Sequence, residues 1–106
     1  MSDKILLRGT ALRYVLTLHL FRTGPQSVAD LVDALSDQGF TVKGRPSKAV
    51  SDALRAEITH GRVFRVRHGR YRPASMPRGT EYRIRERVAA LRAAAADLRP
   101  AAEPWR

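Results

Sequence analysis

Arginine is the side chain with the most chemistry to offer in this 106-residue chain. Lys and Arg together number 20, against 10 Asp and Glu, three His and no Cys. Without thiols there is no disulfide, no thiol nucleophile and no zinc site with thiolate ligands. His19, His60 and His68 share no ligand-like spacing, so no metal is expected. His19 is expected to be a hydrogen-bonded core or boundary residue, and His60 to sit at a helix end where its charge suits the dipole. No Ser-His-Asp constellation or paired carboxylate is visible, so the chain is not expected to be an enzyme or to hold a cofactor. Gly39 and Gly44 have the spacing of a P-loop. Arg45-Pro46 then stand where Lys-Ser/Thr is needed, and no strand precedes them, which rejects nucleotide binding. What remains is guanidinium chemistry, the donation of paired N–H groups to phosphate oxygens.

The position of that charge matters more than its sum of +10. Residues 1–42 are neutral, with Lys4, Arg8, Arg13 and Arg22 against Asp3, Asp30, Asp33 and Asp37. Residues 43–72 carry Lys43, Arg45, Lys48, Arg55, Arg62, Arg65, Arg67, Arg70 and Arg72 against only Asp52 and Glu57. A GC-rich genome explains Arg in place of Lys; it does not explain a neutral first third. A concentrated basic segment points to a polyanionic partner.

Length and composition bound the rest. One domain with one modest core is expected. The longest apolar-looking stretch, Tyr14 to Phe21, is broken by Thr17 and His19 and is too short for a bilayer, so no membrane partner is expected. The opening Met-Ser-Asp-Lys lacks the layout of a signal peptide, and a cytoplasmic location is expected.

Four helices and a hairpin are expected to position the basic residues. Ala11 to Phe21 is apolar nearly all round, which predicts a centrally buried helix with Thr10 as its N-cap and Gly24-Pro25 as its stop. Ser27 opens a second helix, and Asp30 gives capping-box spacing. Its stripe is Val28, Leu31, Val32 and Leu35, and Gly39 ends it. Phe40 to Pro46 is expected to be a turn-rich connector. A third helix runs from Pro46 or Ser47 to about Thr59, closed by Gly61. Its inward stripe is Val50, Leu54 and Ile58, assisted by Ala53, and its opposite face shows Lys48, Ser51, Asp52 and Arg55.

Val63 to Arg72 predicts a hairpin about a two-residue turn, His68-Gly69, with positive φ at both positions. Arg67 then faces Arg70, Val66 faces Tyr71, Arg65 faces Arg72 and Phe64 faces Pro73. One face would be Phe64, Val66 and Tyr71, and the other four arginines, repulsive unless phosphates neutralise them. A last helix is expected from about Thr80 to Leu98, with a seam of Ile84, Val88, Leu91, Ala95 and Leu98. Pro100 stops it and residues 100–106 form a loose tail. Its seam either packs on the first helix or pairs with a second copy, giving a homodimer that spans two half-sites.

Helix, helix, turn, helix and a basic hairpin is the order of winged helix-turn-helix domains, and residues 8–74 resemble them. The stretch Val42 to Leu54, with Gly-Arg-Tyr in the hairpin, is similar to HARE-type winged helices, and the arrangement is similar to the globular domain of linker histones. The resemblance implies a mainly α fold with a small β-hairpin: a winged helix-turn-helix over residues 8–76 and a C-terminal helix over 80–99. It further implies a recognition helix in the major groove, carrying Ser47, Lys48, Ser51, Asp52 and Arg55, and a wing of Arg65, Arg67, His68, Arg70 and Arg72. The connector is longer than a simple turn. Its Lys43 and Arg45 belong to the expected DNA-binding set, and Gly44-Arg45-Pro46 matches the core of an AT-hook. Asp52 either accepts from cytosine or pairs with Lys48 and Arg55. The expected function is binding of double-stranded DNA by a bacterial or phage-type transcription regulator or nucleoid-associated protein, located in the cytoplasm at the nucleoid. A protein-interaction module and an RNA binder are the alternatives. The second is disfavoured because Phe64 and Tyr71 are expected to face the core.

Overall fold

The first helix, α1 (Gly9–Thr23), runs through the middle of the molecule, as its lack of a polar side dictates. Leu12, Val15, Leu16, Thr17, Leu18 and Leu20 are buried along it. The computed structural model that shows this describes residues 4–98, so Pro100 and the expected tail lie outside the described residues. Arg8, in extended conformation, is the N-cap of α1 and makes no side-chain capping bond. Thr10 is therefore not the cap; it lies inside the first turn, where its hydroxyl accepts from Arg13.

Helix α2 (Val28–Asp37) begins as its local chemistry requires. The Ser27 hydroxyl accepts from the Asp30 N–H at 3.0 Å, and the Asp30 carboxylate accepts from the Ser27 N–H at 3.1 Å. Those bonds hold the Asp30 carboxyl below its ordinary pKa. Leu31 and Leu35 are buried from this helix, while Val28 and Val32 pack at the edge of the core. Gly39, at φ 88°, turns the chain out of it.

The segment that follows is not all connector. Phe40–Val42 is a strand (β3), hydrogen-bonded in parallel to Ile5–Leu7 (β1) with Ile5 opposite Phe40 and Leu7 opposite Val42. Leu7 and Phe40 are buried, so this small pair closes one end of the core. No local signal marks a three-residue strand whose partner lies 35 positions away.

Helix α3 (Pro46–Thr59) starts with Pro at its first position, where the missing N–H costs nothing. Val50, Ala53 and Leu54 face inward as expected. The next inward position is Glu57, fully buried, and Ile58 is 37% exposed. The polarity of the two side chains argued for the reverse. Partners outside α3 reverse it: Arg13 and Thr17 of α1 and Arg62 beyond α3 all reach the Glu57 carboxylate.

The hairpin joins Val63–Arg67 (β4) to Arg70–Pro73 (β5). A short strand, Gln26–Ser27 (β2), adds to the other side of β5, giving an antiparallel sheet in the order β2-β5-β4. Arg67 faces Arg70 as expected, but the register then shifts at Val66. Beyond it Arg65 faces Tyr71, Phe64 faces Arg72 and Val63 faces Pro73. Among the described residues no non-glycine residue has positive φ, so Gly69 (φ 72°) takes the left-handed position of the turn and His68 does not. A two-residue loop of that kind mismatches the twist of the flanking strands, and a bulge supplies the extra twist. The bulge overturns the expected faces. Val63 and Tyr71 enter the core, whereas Phe64 is 47% and Val66 49% exposed.

Helix α4 (Arg78–Leu98) starts two residues earlier than expected and packs against α1. Ile84, Val88 and Ala95 are buried in the same core as α1, Leu91 is partly buried and Leu98 is exposed. The seam is thus used within the chain. Among the described residues the result is a mostly helical fold of four helices with a small antiparallel sheet and a parallel strand pair. Among the described residues no helix is long and apolar enough to cross a membrane.

Candidate nucleic-acid interface

Helix α3 and the hairpin lie side by side, and the cleft between them holds several of the expected residues. Ser51, Arg55 and Ile58 from α3 line it together with Arg65, His68, Gly69 and Tyr71 from the hairpin and Val28 of α2. The cleft has a volume of about 420 Å³. Arg65 Nη2 lies 2.7 Å from His68 Nδ1. A guanidinium only donates, so the imidazole accepts here, with its own proton on Nε2. The Val28 N–H donates to the Gly69 carbonyl at 3.0 Å, which ties the hairpin turn to the start of α2.

On the exposed face of α3, Asp52 accepts from Lys48 at 2.8 Å and from Arg55 at 3.3 Å. The Lys48 ammonium, with Arg55 second, holds the Asp52 carboxyl below its ordinary pKa. Of the two roles weighed for Asp52, pairing with Lys48 and Arg55 is the one present. Ser47 is exposed in the first turn of the same helix.

Pairing sorts the basic residues of segment 43–72. Arg62 is spent on Glu57 and largely covered. Lys48 and Arg55 share Asp52. Lys43, Arg45, Arg65, Arg67, Arg70 and Arg72 make no ion pair among the described residues. Lys43 and Arg45 are exposed just ahead of α3. Gly44 between them has φ 75°, so this segment is kinked where an AT-hook is extended.

The expected four-arginine face is rebuilt by the bulge. Arg67, Arg70 and Arg72 share the outer face of the hairpin with Phe64, while Arg65 follows Tyr71 to the cleft side. The Arg72 guanidinium lies over the Phe64 ring, 4.6 Å from its centroid. Phe64 is the functional candidate that sequence reasoning missed. The His-Gly turn offered a signal, since a loop with glycine only at its second position often brings a bulge.

The histidines stay apart. His19 is half-buried beside Gln38 and Arg92, and burial followed by the Arg92 and Arg22 charges lowers its pKa. Among the described residues no three His, Cys, Asp or Glu side chains gather as metal ligands would. Comparison of the chain with protein-family models, with curated proteins and with solved structures found no match to any of them.

Proposed function

We propose that this protein is a winged helix-turn-helix that binds double-stranded DNA, with α3 as recognition helix and the β4–β5 hairpin as wing. The observation that carries the reading is the set of six cations that form no salt bridge among the described residues, placed ahead of α3 and along the hairpin beside it. Such side chains gain from phosphate, since among the described residues none of them forms a salt bridge and only Arg70 feels a carboxylate, that of Asp30, at longer range. The order α1, β2, α2, β3, α3, β4, β5, with β2 joining the hairpin sheet and β3 as a short strand between α2 and α3, supports the same reading. So does the exposed polar face of α3, whose Ser51 and Arg55 lie next to the hairpin. On this reading Arg55, released from Asp52, meets a base edge or phosphate, and the wing arginines contact the flanking backbone. Its place would be the cytoplasm, at the nucleoid, as a regulator of transcription or a nucleoid-associated protein.

Fluorescence anisotropy against a random duplex at several salt concentrations tests the reading. Six phosphate contacts give a slope of log affinity against log salt of about −5, at roughly −0.9 per contact. A slope near zero, or no binding at low salt, overturns it in favour of an acidic protein partner.

A further inference from the structure

The outer face of the hairpin carries an aromatic ring where a purely phosphate-binding wing needs none. Phe64 stands 47% exposed, turned outward by the bulge at Val66. Leaving a ring half in water forgoes the burial that usually places phenylalanine in a core. The ring is also held in a particular way. Arg72 lies directly opposite it in the sheet, with its guanidinium over the ring at 4.6 Å and Nη1 donating to the Pro73 carbonyl at 3.3 Å. Phe64 and Arg72 therefore form an exposed cation–π pair on the outer face of the hairpin. Arg67 and Arg70 continue the same face two residues along β5, about 6.6 Å away at roughly 3.3 Å per residue.

Flat aromatic and guanidinium surfaces beside Arg67 and Arg70, which form no salt bridge among the described residues, match the chemistry of an unpaired nucleotide. The base offers a π-face for stacking and the neighbouring phosphates offer negative charge. A base inside a duplex has both faces covered by its neighbours and cannot use such a platform. We infer that the outer face of the hairpin binds an unpaired base of a polynucleotide, stacked on the Phe64–Arg72 pair, with Arg67 and Arg70 on the adjoining phosphates. This rests on the proposed nucleic-acid role of the hairpin and extends it to substrates in which duplex and single strand meet. An apolar peptide is the poorer occupant, since the arginines bracketing Phe64 match phosphate and not a hydrocarbon surface.

Anisotropy titrations of the full chain decide it, with four labelled probes of equal length at one salt concentration: a blunt duplex, a duplex with a central bubble, oligo-dT and oligo-U. Phe64→Leu keeps apolar bulk and removes the ring; Phe64→Trp restores one. Circular dichroism and thermal melting establish that both variants are folded. The expected result is a loss of about tenfold or more for Phe64→Leu on the bubble and single strands, with the blunt duplex unchanged and Phe64→Trp restoring binding. A loss shared by oligo-dT and oligo-U marks a platform indifferent to the sugar, and a loss on one alone names the strand it takes. Equal losses on all four probes, or no change on any, overturn the stacking platform without overturning the proposal that the protein binds duplex DNA. No binding of the wild type to any probe overturns the nucleic-acid reading itself and this inference with it.

Discussion

Glu57 and Arg62 meet in two hydrogen bonds, Nε to Oε1 at 2.8 Å and Nη2 to Oε2 at 2.7 Å, with the carboxylate wholly buried. Thr17 donates to Oε1 at 2.5 Å, and Arg13 Nε lies 3.2 Å from Oε2. The Arg62 guanidinium also sits 5.9 Å from the centroid of the Tyr14 ring. One acid thus joins α1, the end of α3 and the residue that leads into β4. It sets where the hairpin leaves α3, and so how the basic faces stand to each other.

Replacing Glu57 by Gln should destabilise the fold by about 2–4 kcal/mol, since it leaves Arg13 and Arg62 facing a neutral group in a covered site. Urea unfolding at neutral pH measures this. A loss within error of zero would show that water reaches the cluster and the pair contributes nothing.

The same carboxylate predicts an acid limb. Burial pushes the Glu57 pKa up, but hydrogen bonds from Arg62 and Thr17 and the charges of Arg62 and Arg13 outweigh it, leaving it below its ordinary 4.5. A folded pKa below the unfolded one adds stability that is fully present above about pH 4.5 and is lost as pH falls through the folded value. Melting temperature should therefore drop below pH 4.5 more steeply in the wild type than in Glu57→Gln. Parallel profiles would assign the acid limb to other carboxylates.

Arg67 and Arg70 are direct cross-strand partners of like charge. Replacing both by Ala should weaken binding to every duplex alike and flatten the salt slope by about one unit per lost contact. Stability should hold or rise slightly, because a repulsive pair is removed. An unchanged slope in a folded variant would take the hairpin out of the interface.

Asp52 restrains two cations of α3, so Asp52→Asn should release Lys48 and Arg55 and raise affinity for random duplex, with a steeper salt slope. The combined Ser51→Ala, Arg55→Ala change should instead cost on the order of 1–3 kcal/mol per lost base contact on a preferred site only. Equal loss on all sequences would mean that no base is read, which favours a nucleoid role over a specific regulator.

Ile84 and Val88 are buried in the core that α4 shares with α1. Ile84→Ala should cost about 2–4 kcal/mol, and a chain ending before Arg78 should fail to fold on its own. Cooperative unfolding of that shortened chain, followed by circular dichroism, would place α4 outside the core.

Local chemistry determined the helices. The reciprocal Ser27–Asp30 cap, Pro46 at the head of α3 and the apolar spacing along α2, α3 and α4 each act within a few residues, so these elements were legible in order and nearly in extent. The concentration of arginine in residues 43–72 was equally plain. Tertiary structure decided the rest, because it turns on partners far apart in the chain. The pairing of β1 with β3 needs hydrogen bonds across 35 positions, and α4 finds its place only once α1 exists to receive its seam. Arg62 and Arg65 look alike in the sequence, yet Glu57 consumes the first and leaves the second at the cleft. A single bulge at Val66 moved Phe64 from the expected core face to the surface. Side chains alternate across a strand with a period of two, so one extra residue exchanges the faces of everything beyond it.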